Sequence, residues 1–392
     1  MADTKGPGPV VTLFTRPIRA PQGQGVTFVE LFFDLVFVFA ITELTKLAAS
    51  DLTWSGAGRS VLVAWLIWWA WSQFTWALNP ADTDHGIVRG GTLFAGALAF
   101  LMAISVGDAL GDGGLWFAIP YVAVRVVGLG LYVLVAAEDK VQLAAVRLFG
   151  SISTLGLGAA VIGGAVHGNA RTWWWLAVIG LDFLAAGLAG SQEGWGIHSA
   201  HFAERHGLFV IIALGESLVA AGIAAAGEER TSDLVFVAIG AVIVVSLLWW
   251  TYFGWLKDAL ERRLEAASDT PRALLARDAY SLLHFPLIVG VVGIAIGVEE
   301  MVAHPGDALE AQVLIALIVG VTLFVASAAA ALWRADRTVL IARFAVLGLL
   351  AIGAAVQHPA EPKLLLSLTI AAIAAVVVAE ALQHPHTELQ AE

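Results

Sequence analysis

Cysteine is absent from all 392 residues, which excludes disulfides, iron-sulfur clusters, thiolate metal sites and cysteine nucleophiles. Charge is nearly as scarce. Only 14% of residues are Asp, Glu, Lys or Arg, against roughly 25% in a soluble domain, while 59% are apolar and the mean hydropathy is +0.82. An ordinary water-soluble globule is excluded. The formal net charge of -11 offers no basic face, so no nucleic acid is expected as a partner. Also missing are a glycine-rich phosphate loop, H-E-x-x-H, G-x-S-x-G and any polar stretch large enough to house a cofactor, so neither an enzyme nor a cofactor is expected. The 40 glycines are spread through apolar text, where they suit close helix contact better than nucleotide binding.

What the chain does have is long apolar runs, twelve of them between residues 27 and 382. At about 1.5 Å per residue, roughly 20 helical residues cross a hydrocarbon layer of about 30 Å, and helices satisfy their own backbone there. The expected fold class is therefore all-α, a polytopic membrane protein of about twelve transmembrane helices in contact with membrane lipids. The runs at 143–166 and 172–190, parted only by the polar turn 167–171, are the least distinct. Fifteen of the 21 Lys and Arg fall on the side that holds a cytoplasmic N-terminus and five on the other, with Arg125 inside a span. This bias places both termini in the cytoplasm. The residues before the first run are Pro/Gly-rich and that run is too long for a cleavable signal, so no signal peptide is expected.

The text also repeats. Placing Ala40 on Ala213 brings Glu43 onto Glu216, an offset of 173, and W-S-Q-F-T-W at 71–76 matches W-T-Y-F-G-W at 250–255, an offset of 179. Arg89 then matches Arg277, and Arg147 matches Arg343, at offsets of 188 and 196. Two six-helix copies follow, residues 26–200 and 201–383, after a cytoplasmic segment 1–25 and before a tail 384–392. Because six is even, the copies should run parallel, related by an axis along the membrane normal. Between the eighth and ninth spans, the cytoplasmic linker 257–277 places Leu256, Leu260 and Leu264 on one stripe. It reads either as an interfacial helix or as a projection of the eighth helix.

Polar groups inside apolar runs are the candidates for function, since each must face the bundle, water or a partner. Glu30 and Asp34 share a face of the first span, with Thr42 and Glu43 further along it. Arg89 and Arg147, at the same expected level, are their candidate partners. The seventh span carries Glu204, Arg205, Glu216 and Ser217; Arg205 and Glu216 lie about 16 Å apart along the axis and cannot pair. Gly215 would permit close helix approach. Arg125 and Asp182 are mid-span charges expected to pair with each other. In the ninth span, Arg277, Ser281 and His284 share a face ahead of Pro286, and His284 is the candidate for pH response. His198, His201 and His206 near Glu204 have weak metal-ligand spacing, and no metal site is expected from them.

The stretches VELFFDLVFVFAITELT, ERHGLFVIIALGES and HFPLIVGVVGIAIG resemble the bacterial low-temperature-requirement A family over roughly residues 15–385. The family consists of integral membrane proteins named for a cold-growth phenotype. The resemblance singles out Glu30, Phe33, Asp34, Thr42, Glu204, Arg205, Gly215, Glu216, Ser217 and His284. More faintly, DLVFVFAIT is similar to the first helix of the endolysosomal potassium-channel family. That likeness implies pore lining by the first and seventh helices with Ile41 and Leu214 at a constriction, although Gly207 stands where the second copy would need an aspartate. The expectation is a channel-like protein or secondary transporter for a cation, proton or small solute. The alternative is a nonconducting membrane sensor or assembly factor whose buried charges are structural. Gly- and Ala-rich helices also allow a homodimer.

Overall fold

The computed structural model describes residues 16–21, 23–356 and 361–383, with side chains described except at 354–356. Lys5 and the tail 384–392 lie outside the described residues. Among the described residues there are fourteen helices: α1 (Phe28–Ser50), α2 (Trp54–Leu78), α3 (Gly86–Ile104), α4 (Gly114–Ala136), α5 (Lys140–Ala165), α6 (Gly168–Gly190), α7 (Ser199–Ala226), α8 (Ser232–Phe253), α9 (Leu256–Ala266), α10 (Asp269–Leu275), α11 (His284–Ala303), α12 (Ala311–Asp336), α13 (Ile341–Val356) and α14 (Pro362–Gln383). A π-helical segment, Ala276–Leu282, joins α10 to α11.

Ten helices among the described residues are long and apolar enough to cross a membrane, so the chain is an all-α, polytopic membrane protein. Two of the twelve expected runs form helices that do not join this count, for physical reasons. Helix α1 holds Glu30, Asp34, Glu43 and Lys46 within 23 residues, and α13 has only 16 residues. The surface is inverted relative to a soluble protein. Trp116, Ile119, Leu155, Ile223 and Leu349 stand exposed, while Glu30, Asp34, Arg125, Arg205 and Arg343 are at 0% exposure. That distribution fits a hydrocarbon surround.

The ends of the helices show local rules at work. Asp139 caps α5 by accepting from the Val141 and Gln142 amides, and Thr231 caps α8 by accepting from Leu234. In the first turn of α11, Pro286 lacks the amide that a continuous helix would aim at the Leu282 carbonyl. The widened π turn, with the Leu283 amide donating to Asp278, accommodates that gap.

Among the described residues, contacts form two compact units, one within 1–43, 62–205 and 267–277 and the other within 44–61, 206–266 and 278–392. In the first unit, α3 to α6 pack as successive antiparallel neighbours. In the second, α11 lies so close to α12 that a side chain on Gly290 would meet the Gly320 carbonyl at 2.6 Å. Helix α9 belongs to this second unit, and its leucine stripe is covered by protein. Leu256, Leu260 and Leu264 are at most 1% exposed, α9 packs on α8 and α12, and Arg263 reaches Asp336 at 3.3 Å. An interfacial helix would bury that stripe in lipid, so the interfacial reading of this segment is corrected.

Candidate functional site

The first turns of α1 and α7, with the end of α2, build a fully buried charge cluster in the first unit. Glu30 and Asp34 are i, i+4 on α1, so both face one guanidinium. Arg205 donates from Nη1 to Glu30 Oε1 and from Nη2 to Asp34 Oδ1, each at 2.6 Å. Glu30 also accepts from the amide and hydroxyl of Thr27, both at 3.0 Å. Asp34 Oδ1 accepts from the Trp71 indole at 2.7 Å, and that ring lies beneath Arg205 at 5.8 Å. The sequence-based partners are corrected here. Arg89 pairs with Asp84 and Arg147 is exposed, while Arg205, far along the chain, is the cation that Glu30 and Asp34 need.

A tautomer can be assigned to His201 from its neighbours. Asn79 uses Oδ1 to accept from the His198 amide at 2.8 Å, which turns its Nδ2 toward His201 Nδ1 at 3.2 Å. Nδ1 therefore accepts, and Nε2–H donates to Glu30 at 3.2 Å. His201 is neutral in this arrangement. The cluster then holds two carboxylates against one guanidinium. Two of its buried atoms, Asp34 Oδ2 and Arg205 Nε, have no hydrogen-bond partner among the described residues.

Two other buried arginines are balanced one to one. In the first unit, Arg125 meets Asp182 at 3.0 Å as expected, and also binds Tyr121 at 2.6 Å and Gln73. In the second, Arg343 makes a two-pronged contact with Glu380, at 2.5 and 2.9 Å, and donates to the Thr251 carbonyl at 2.7 Å. Trp255 adds a bond to Glu380 at 2.9 Å. Glu380 was missed from sequence, although an acid inside an apolar 22-residue helix is the signal that singled out Asp182.

The remaining candidates take no part in these clusters. His284 donates from Nδ1 to the Ala279 carbonyl at 2.8 Å and faces the Tyr252 hydroxyl with Nε2 at 2.7 Å, which suits a neutral ring with both nitrogens engaged. Tyr280 stacks on it at 5.2 Å, and Ser281 is buried nearby in the chain. Thr42 back-bonds to Val38 at 3.2 Å. Glu43 and Glu216 are half-buried, and Ser217 is buried with its hydroxyl lacking a hydrogen-bond partner among the described residues. Glu204 is exposed and accepts from the Val26 amide at 3.1 Å. Arg277 reaches the Ala186 carbonyl at 3.4 Å. Gly215 has nothing within 4 Å of where a Cβ would stand, so the close approach expected there is corrected. Outside the spans, burial holds the His198 ring below its ordinary value, with neighbouring His201 and Arg19 acting in the same direction.

No group of three or more His, Asp or Glu among the described residues is placed to hold a metal. No solved structure matches the chain. An uncharacterised protein of Rhizobium meliloti (strain 1021) is 29% identical over 290 residues, covering 71% of this chain and 70% of the relative. The family model described as bacterial low temperature requirement A protein (LtrA) matches residues 25–379. With a match over nearly its whole length, the chain belongs to the LtrA family.

Proposed function

We propose that this LtrA-family protein is an integral membrane transport protein, channel-like or a secondary transporter, that moves a proton, another cation or a small solute. The supporting observation is the charge imbalance around Arg205, where Glu30 and Asp34 face one guanidinium at full burial. An uncompensated charge in a low-dielectric interior is costly, and one bound cation cancels it. The smallest such cation is a proton on Asp34 Oδ2, the oxygen without a hydrogen-bond partner. Twelve spans in two parallel six-helix repeats, with both termini in the cytoplasm of a bacterial inner membrane, form the architecture of this reading. Helices α1 and α7, which carry the cluster, are its path helices. The potassium-channel likeness does not enter it, because Ile41 and Leu214 are 3% and 2% exposed and present no water-facing surface.

A second reading, a nonconducting sensor or assembly factor with structural charges, draws on the balanced pairs Arg125–Asp182 and Arg343–Glu380. Liposome flux separates the two. Purified protein in sealed vesicles under a proton gradient should acidify a trapped dye faster than empty vesicles do. Asp34→Asn should remove that flux while the thermal transition in detergent stays in place. Flux that persists undiminished in Asp34→Asn rejects the site, and no flux above empty vesicles favours the second reading.

A further inference from the structure

Where α12 gives way to α13, the second unit leaves an apolar groove of about 310 Å³, with Ala329, Ala330, Trp333, Leu340 and Phe344 in its lining. That volume lies at the lower end of the roughly 300–1,000 Å³ of small-molecule sites. Trp333 and Phe344 are 47% and 51% exposed, so the groove opens sideways onto whatever surrounds the helices. Arg337 ends α12 in the left-handed conformation, φ 64°, which folds its guanidinium over the Trp333 ring at 4.4 Å.

Charge arithmetic around this turn leaves one positive centre. Arg263 meets Asp336 at 3.3 Å and Arg334 meets Asp278 at 2.8 Å, so those four charges cancel. Arg337 is exposed and makes no ion pair among the described residues. The result is an apolar trough rimmed by a tryptophan and one uncancelled guanidinium. Those two features match the two ends of an anionic glycerophospholipid, since hydrocarbon fills the trough and a phosphodiester accepts from the guanidinium. A second protein copy fits less well, because covering the groove would bury Arg337 without an acid.

We propose that this groove binds an acyl chain of an anionic phospholipid, with the lipid phosphate held by Arg337. The inference goes beyond the transport reading and stands whether or not the protein conducts. Its test is titration of the delipidated full-length protein in detergent with phosphatidylglycerol or phosphatidylcholine, read by native mass spectrometry. Phosphatidylglycerol should bind about five-fold tighter, the contribution of one cation near an anionic headgroup. Arg337→Asn, which keeps a residue tolerant of the left-handed backbone, should bring both lipids to the same affinity. Arg337→Lys should keep the preference, and Ala330→Phe should weaken both lipids by filling the trough. Equal affinity of the two lipids for the wild type overturns the proposal, as does an unchanged preference in Arg337→Asn. So does a dimer in which phosphatidylglycerol no longer binds. Should Ala330→Phe fail to fold, the surface substitution Arg337→Asn decides the matter by itself.

Discussion

Arg343 and Arg205 are both guanidiniums at 0% exposure, one in each compact unit, and both are held by carboxylates from another helix. Around Arg343 the account closes. One acid, Glu380, takes two donors, and carbonyls of Thr251 and Val325 lie at 2.7 and 3.4 Å. Around Arg205 it does not, since two acids compete for one cation and an oxygen and a nitrogen are left over. On the transport reading proposed above, the difference separates a joint from a site. A balanced ion pair fixes helices in register, whereas an unbalanced one has a place for something that comes and goes.

The contrast can be broken experimentally, beginning with the largest effects. Arg205→Met should cost about 3–5 kcal/mol, seen as a sharply lowered thermal transition in detergent, because it strands two buried carboxylates. Adding Glu30→Gln and Asp34→Asn to that variant should restore much of the loss. Arg343→Met should cost a similar amount, about 3–5 kcal/mol, but here the single further change Glu380→Met should suffice to return stability to the wild-type level or above. If Arg343→Met with Glu380→Met stays as unstable as Arg343→Met, the pair is more than a joint and the comparison fails. Smaller again is Trp255→Phe, which removes one hydrogen bond to Glu380 and should cost about 1 kcal/mol by the same thermal readout.

The smallest effect lies in the connection between α1 and α2, outside the spans. Hydrogen bonds from the Thr53 hydroxyl and amide, with Arg59 adding to them, hold the exposed Asp51 carboxyl below the usual aspartate range. A depressed folded-state value means that the contribution is present above the unfolded value and lost as pH falls through the folded one. The slight difference in thermal transition between wild type and Asp51→Asn should therefore exist at neutral pH and close on acidification below the ordinary aspartate range. A gap that widens on acidification would reverse the sign and disprove the assignment.

Much of the architecture was legible before any coordinates. Runs of about 20 apolar residues became helices, and Arg125 found Asp182, because both were rare charges inside apolar spans and had few alternatives. The leucine stripe of α9 was legible as a stripe, but what covers it was not, since lipid and protein interior are alike to a periodicity. Arg89 was a reasonable partner for Glu30 on depth alone. It was excluded by Asp84, five residues away, which takes its guanidinium. His284 illustrates the same limit, because its neighbours Tyr252 and Ala279, not its own span, engage its two nitrogens.

Hydropathy and spacing are sums over local residues, and for this chain they determined that it is helical, polytopic and obliged to turn Glu30, Asp34 and Arg205 away from hydrocarbon. Which of those charges meet was decided only by tertiary structure. Asp34 and Arg205 are 171 positions apart in the chain, and their contact depends on the rotation and depth of two separate helices. A helix sets the direction of its side chains relative to itself, never relative to a helix that has yet to dock. The excess carboxylate beside Arg205 is for that reason a property of the fold.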